Sequence, residues 1–189
     1  MGIEPVAKRR RHGLAGFLWG LAEGTFFFVV PDVYISRAAL FWCRDFIACT
    51  FWALAGSLCA GLVMYALSVH YPAAMESFVR QVPFIPDAML TTVREQYAQQ
   101  GVWALVNGPL SGTPYKIYAI MAPEHAGWLV FLLVSLPVRL ARFLAVGGVA
   151  ALVAHLCHRC APERAKFLPV AHAALWGIFY IFYWSGNGW

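Results

Sequence analysis

Apolar positions gather into five runs along the chain, at residues 13 to 36, 46 to 69, 101 to 123, 126 to 157 and 167 to 184. A helix needs roughly 20 predominantly apolar residues to cross a bilayer. The runs at 46 to 69 and 126 to 157 exceed that and the run at 167 to 184 just reaches it, so each predicts a spanning helix. The other two are apolar enough for a span but not regular enough. "GLAGFLWGLAEGTFFFVVPDVYIS" carries Glu23, Pro31 and Asp32, and the run at 101 to 123 contains Asn107, Pro109, Pro114 and Lys116. Non-helical backbone at membrane depth is tolerated only where protein or a water-filled cavity satisfies its polar groups. Both segments are therefore expected to be re-entrant hairpins, entering and leaving on one face. Residues 71 to 100 hold two short helical patterns separated by Pro83 and Pro86, and read as an amphipathic connector on the membrane surface.

Composition supports this reading. The 189 residues are 61% hydrophobic and 12% charged, against about 25% charged in soluble domains. The fold class expected is all-α integral membrane, in a single domain with a first repeat at 13–69, the connector at 71–100, a second repeat at 101–157 and a C-terminal transmembrane helix at 167–184. The net charge of +5 does not point to nucleic acid, because four of the cations are Lys8, Arg9, Arg10 and Arg11, just before an apolar run. Such a cluster is a topology signal and a contact for anionic headgroups. No small-residue cleavage site follows it, so the N-terminal run is taken as part of the mature protein. With re-entrant hairpins, Arg37, Arg44, Arg159, Arg164 and Lys166 fall on the side of the basic N-terminus, and the connector falls on the other. That is the positive-inside arrangement, with a cytoplasmic N-terminus and an inner (plasma) membrane location.

The two halves share a pattern. In "WGLAEGTFFF" and "NGPLSGTPYK", Gly20, Gly24 and Thr25 match Gly108, Gly112 and Thr113 at one offset of 88 residues. Inverted repeats with Gly/Pro-interrupted segments at corresponding places point to a transporter's site at the repeat interface. The alternative is that small residues simply let helices approach closely.

At these residues the chain resembles a known family. The order E-G-T-x-x-x-x-x-P-D, "AGSLCAGLVMY", "YAQQG", "TPYKIYAIMAP" and "SLPVRLARFLAVGG" is similar to the DedA superfamily, also called SNARE-associated or VTT-domain membrane proteins, and most to its YqaA-like branch, over residues 14 to 157. The resemblance implies two opposed re-entrant hairpins and movement of phospholipids or polyprenyl-phosphate carriers across the bilayer, often proton-dependent. It places Glu23 and Asp32 at the acidic positions of the first hairpin, and Lys116, Arg139 and Arg142 at the basic positions of the second half. Ala122-Pro123 stands where the family usually has Ala-Gly, and Asn107, Ser111 and Thr113 occupy a region where other branches carry an arginine.

The residue chemistry fits an anionic headgroup. A phosphate leaving water needs fixed donors and opposite charge. Lys116 offers a point charge, while Arg139 and Arg142, three residues apart on one helix face, offer planar donors. Pro137 can kink their helix, and Gly112 with Thr113 lets backbone approach the ligand. Glu23 and Asp32 are candidates for pairing with these cations or relaying protons. A static ion-pair network pinning the hairpins together is the competing reading. Two further rivals are an intramembrane enzyme using Glu124 or His125 as acid or base, and a non-transporting scaffold. No enzymatic activity and no cofactor are expected. "HLCHRC" (His155, Cys157, His158, Cys160) lacks a second ligand pair at zinc-finger spacing, so no metal is expected there. Five cysteines, an odd number, argue against a disulfide framework. Trp184 and Trp189 are expected as interfacial anchors.

Overall fold

The computed structural model describes residues 6–41 and 46–187, with side chains for 12–41 and 46–186. The side chains of Lys8 to Arg11, and all of Cys43, Arg44 and Trp189, lie outside the described residues. Described residues form helices and connecting turns, with no strand among them. Three stretches are long and apolar enough to cross a membrane: Phe46–His70, Trp128–Cys160 and Pro162–Gly186. Their outward faces carry Leu133, Val149, Ile181 and Phe182, each more than half exposed. A surface that apolar belongs in lipid rather than water.

Helix α1 (Val6–Thr25) begins just before the basic run, seven residues ahead of the apolar segment, because Lys and Arg are good helix formers. It ends where Phe26 and Phe27 both donate to Ala22 O. An irregular stretch leads to Pro31, whose carbonyl accepts from Tyr34 and Ile35 and opens α2 (Asp32–Phe41). The chain has reversed: Trp19 Nε1 donates to Val29 O at 3.0 Å, and Tyr34 OH to His12 O at 3.0 Å.

The third helix, α3 (Phe46–His70), runs parallel to α1 along a seam of small residues. A Cβ on Gly16 would sit 3.0 Å from Cys49 O, one on Gly20 2.1 Å from Ala53 O, and one on Gly24 2.4 Å from Ala60 Cβ. The contact is reciprocal, since a Cβ on Gly56 would lie 2.0 Å from Phe17 O. Gly20 and Gly24 are thus glycine because two backbones touch. The first turns of α3 lie beside Gly13 and Gly16 of α1, so the chain has come back along its own path between the two helices.

The connector consists of α4 (Pro72–Arg80) and α5 (Asp87–Gln100). Glu76 ties them, accepting from Arg80 at 2.8 Å and Arg94 at 3.1 Å, and Arg80 also reaches Asp87. The bond from Arg80, helped by Arg94, holds the Glu76 carboxyl below its ordinary value. The segment expected as a second hairpin is built of shorter pieces: a 3-10 turn (Gly101–Val106), α6 (Asn107–Ser111) and α7 (Tyr115–Met121). Gly112 ends α6 with φ +74°, a left-handed conformation that glycine adopts without steric cost. Pro114 then caps α7.

After a turn at Ala122–Glu124, α8 (Trp128–Cys160) runs antiparallel to α3, with Phe131 stacked on Tyr65 and Gly147 against Phe46. It continues through Pro137 without a break. A 3-10 turn (Pro162–Phe167) leads into α9 (Leu168–Asn187), which returns beside α2 and α8.

Candidate functional site

The breaks in the two hairpins meet. Lys116, in the first turn of α7, is 1% exposed and donates to Phe27 O at 2.7 Å, across from one break to the other. The irregular stretch after α1 leaves carbonyls without helical partners, and a cation there is favoured by both the orphan acceptor and the helix dipole. Its hydrogen-bond partner is thus backbone, and the expected approach of Glu23 and Asp32 to the basic set is made through the two arginines.

The two arginines straddle the first break. Arg139 Nη2 lies 2.7 Å from Glu23 Oε2, both side chains under 10% exposed, and Arg142 grips Asp32 Oδ2 with Nε at 2.8 Å and Nη2 at 2.5 Å. Glu23 closes α1 and Asp32 opens α2, so one face of α8 clamps both arms. Asp32 gains further from its place at a helix N-terminus. Two polar atoms in this pair of bridges, Asp32 Oδ1 and Arg139 Nε, are buried without a partner. The Arg142 side chain is 26% exposed, which makes it the accessible member.

Tyr115, adjacent to Lys116, is a residue whose role the sequence did not reveal. Its ring lies under the Arg139 guanidinium at 4.3 Å, its hydroxyl donates to Ser135 Oγ at 3.0 Å, and it fills the notch left by Gly61. Helix α9 adds two more such residues. Tyr180 OH accepts from Val30 N–H at 2.9 Å in the first break, and Tyr183 OH donates to Gly112 O at 3.3 Å in the second. Trp184, expected as an interfacial anchor, stacks on Phe84 of the connector at 4.9 Å and meets Phe28 edge-on. Phe84 holds φ +65°, a strained conformation for an aromatic residue.

These elements enclose a cavity of about 70 Å³ lined by Glu23, Lys116, Arg139, Arg142 and Tyr180, with Phe84 on its connector side. Gly112 and Thr113 line it too. Gly112 and Thr113 do not repeat the geometry of Gly24 and Thr25. Gly112 turns the chain, whereas Gly24 packs in a helix, so the helix-packing alternative accounts for the first-half glycines. Thr25 Oγ1 bonds back to Leu21 O, while Thr113 Oγ1 lies 2.8 Å from Ser111 Oγ.

The remaining expected residues fall elsewhere. His125 stacks on Tyr97 at 4.7 Å near the connector, and Glu124 adjoins it, away from the charged cavity. His155, Cys157, His158 and Cys160 occupy the last turns of α8 and are exposed or half-exposed.

No protein-family model matches the chain, nor does a curated protein or a solved structure.

Proposed function

We propose that this protein is a translocase for anionic lipids, a phospholipid or a polyprenyl-phosphate carrier, in the inner (plasma) membrane, and that it acts without chemical change to its cargo. One observation carries the reading. Two broken, opposed segments meet at a cavity lined by three cations, Lys116, Arg139 and Arg142, and by Glu23, with Asp32 beside it on Arg142. With every group ionised one positive charge is left over, which draws a lipid phosphate to the site. On this reading residues 13–36 and 101–123 are re-entrant, with the N-terminus cytoplasmic, and the chain is a DedA-like protein.

The steps follow from the contacts. A phosphate entering beside Arg142 competes with Asp32 for planar donors that bind either anion. Asp32 is then buried without its counter-ion, a state that favours taking up a proton. Anion entry and protonation together preserve charge, which couples lipid movement to protons. Lys116 exchanges Phe27 O for phosphate oxygen, and the freed break lets the hairpin tips part.

The test is leaflet exchange of headgroup-labelled phosphatidate and of polyprenyl phosphate in vesicles at equal protein. Lys116→Met is expected to reduce exchange at least tenfold, equivalent to about 1.4 kcal/mol in the limiting step. It also strands Phe27 O at a cost of about 1–3 kcal/mol, so folding is monitored by thermal unfolding in the same detergent. Lys116→Arg, which keeps the charge, should retain partial activity. A folded Lys116→Met protein that exchanges lipid normally would sink the phosphate-receptor role and favour the static ion-pair network.

A further inference from the structure

A second cavity, of about 440 Å³, lies between α2, α8 and α9. Its walls are Val146, Val149 and Val153 on α8 and Leu168, Ala171 and Leu175 on α9. The polar atoms that reach it are spent on one another. Ser36 Oγ donates to Asp32 O at 2.6 Å, accepts from Trp176 Nε1 at 3.1 Å and lies 2.9 Å from His172 Nε2. What is left is a hydrocarbon surface between membrane-length helices.

This groove and the charged cavity lie end to end. From Arg142 to Val146 on α8, from Asp32 to Ser36 on α2 and from Tyr180 to Trp176 on α9, the first residue flanks the charged site and the second lines the groove. Each step is one helical turn, about 5.4 Å. The Asp32–Arg142 pair and Tyr180, whose hydroxyl accepts from Val30 N–H, thus stand one turn from the groove. The charged end lies toward the connector and the apolar end toward the start of α9. Polar head and apolar tail therefore have the order and spacing of one lipid molecule standing along α9.

We propose that the groove under α9 is an acyl-chain site, and that it holds the tail of the same anionic phospholipid whose phosphate enters the cavity at Lys116 and Arg142. The inference rests on the anionic-headgroup reading above and extends it to a helix outside the family resemblance. Cation excess at one end and a dry apolar wall at the other match the two ends of a phospholipid. The membrane that surrounds α8 and α9 supplies acyl chains at that depth. Tail binding also gives α9 a role: its tyrosines close the headgroup cavity while its first turns hold the chain.

The experiment uses the full-length protein in vesicles with phosphatidate bearing a diazirine at mid-chain, and maps adducts by mass spectrometry. Adducts are expected to concentrate on the α8 and α9 groove residues and to fall about tenfold when diacylglycerol with the same labelled chain replaces phosphatidate. Val149→Trp, which fills the groove from a position already 63% exposed and so spares the core, should produce a similar loss. Equal labelling by both lipids, or adducts spread evenly over lipid-facing helices, overturns the proposal. Stronger groove labelling by diazirine-bearing polyprenyl phosphate overturns the choice of an acyl chain. Leaflet exchange scored on the same vesicles separates the two claims: phosphate-dependent groove labelling without exchange sinks transport and keeps the tail site, and exchange without groove labelling does the reverse.

Discussion

At the scale of the residue, the two arginine–carboxylate pairs differ in kind from the charges on the connector. Arg142 and Asp32 sit where the carboxylate side chain is 2% exposed, whereas Arg80 and Arg94 reach Glu76 from side chains 41% and 56% exposed. An exposed pair is worth about 0–1 kcal/mol. Breaking a buried one leaves an uncompensated charge and costs about 3–5 kcal/mol. Arg142→Met should therefore destabilise the protein by several kcal/mol, and Asp32→Asn added to it should restore most of that loss. Arg94→Met should barely register. Denaturation of each variant in one detergent measures this directly, and a simple sum of the two single losses in the Asp32→Asn/Arg142→Met protein would show that the charges do not share a site. The same double variant should fail in lipid exchange despite its recovered stability, because the donor that meets phosphate is gone.

Among elements, the joint between α1 and α3 is the least tolerant. Gly20→Ala places a Cβ against Ala53 O, a backbone atom that cannot rotate away. Overpacking costs about 1–3 kcal/mol even where side chains can adjust, so the two helices must separate and the first break loses its register with Lys116. Gly148→Ala meets nothing within 4 Å on α8 and should be neutral or slightly stabilising. Monodispersity on size exclusion and thermal unfolding distinguish the pair; a well-behaved Gly20→Ala protein would contradict the parallel packing. These elements also show what the sequence could reveal. Pro31, Pro114, Gly112 and the charges at 23, 32 and 116 marked both breaks, because each carries a local cost that a regular span does not bear. The three long apolar helices were legible from length alone, and the arginine face of α8 from its spacing. Which partner each charge takes was not legible, since Phe27 O and Lys116, 89 residues apart, are brought together only by tertiary packing. Tyr115, Tyr180 and Tyr183 were hidden for the same reason: an aromatic residue in an apolar run has no periodic signature for the tertiary contact it makes. The G-x-x-x-G-T letters do not by themselves fix a role, because Gly24 serves a packed seam where Gly112 serves a turn.

For the whole molecule, the order of elements places both ends of the first hairpin and the loop before α9 at one end of the fold, and the connector at the other. Parallel packing of α1 on α3 requires the chain to come back between them, and α3 then carries it past the tips to α4. The second hairpin approaches from the connector end: Tyr97 OH donates to Tyr118 O, and Ser68 at the end of α3 donates to Ile120 O. Helix α8 returns to the first end, where Arg159, Arg164 and Lys166 join Arg37. If the fold sits in a bilayer as its apolar faces require, positions 37 and 159 share one face and positions 92 and 99 share the other, and all four are exposed. Single cysteines at these positions, introduced into a cysteine-free background, are expected to react with a membrane-impermeant maleimide in two groups. In intact cells 92 and 99 should label, while 37 and 159 should label only after permeabilisation, because the basic ends are held on the cytoplasmic side. Labelling of 37 together with 99 would mean that residues 13–36 cross the membrane, which would pull the first break away from Lys116 and remove the headgroup cavity on which the transport reading depends.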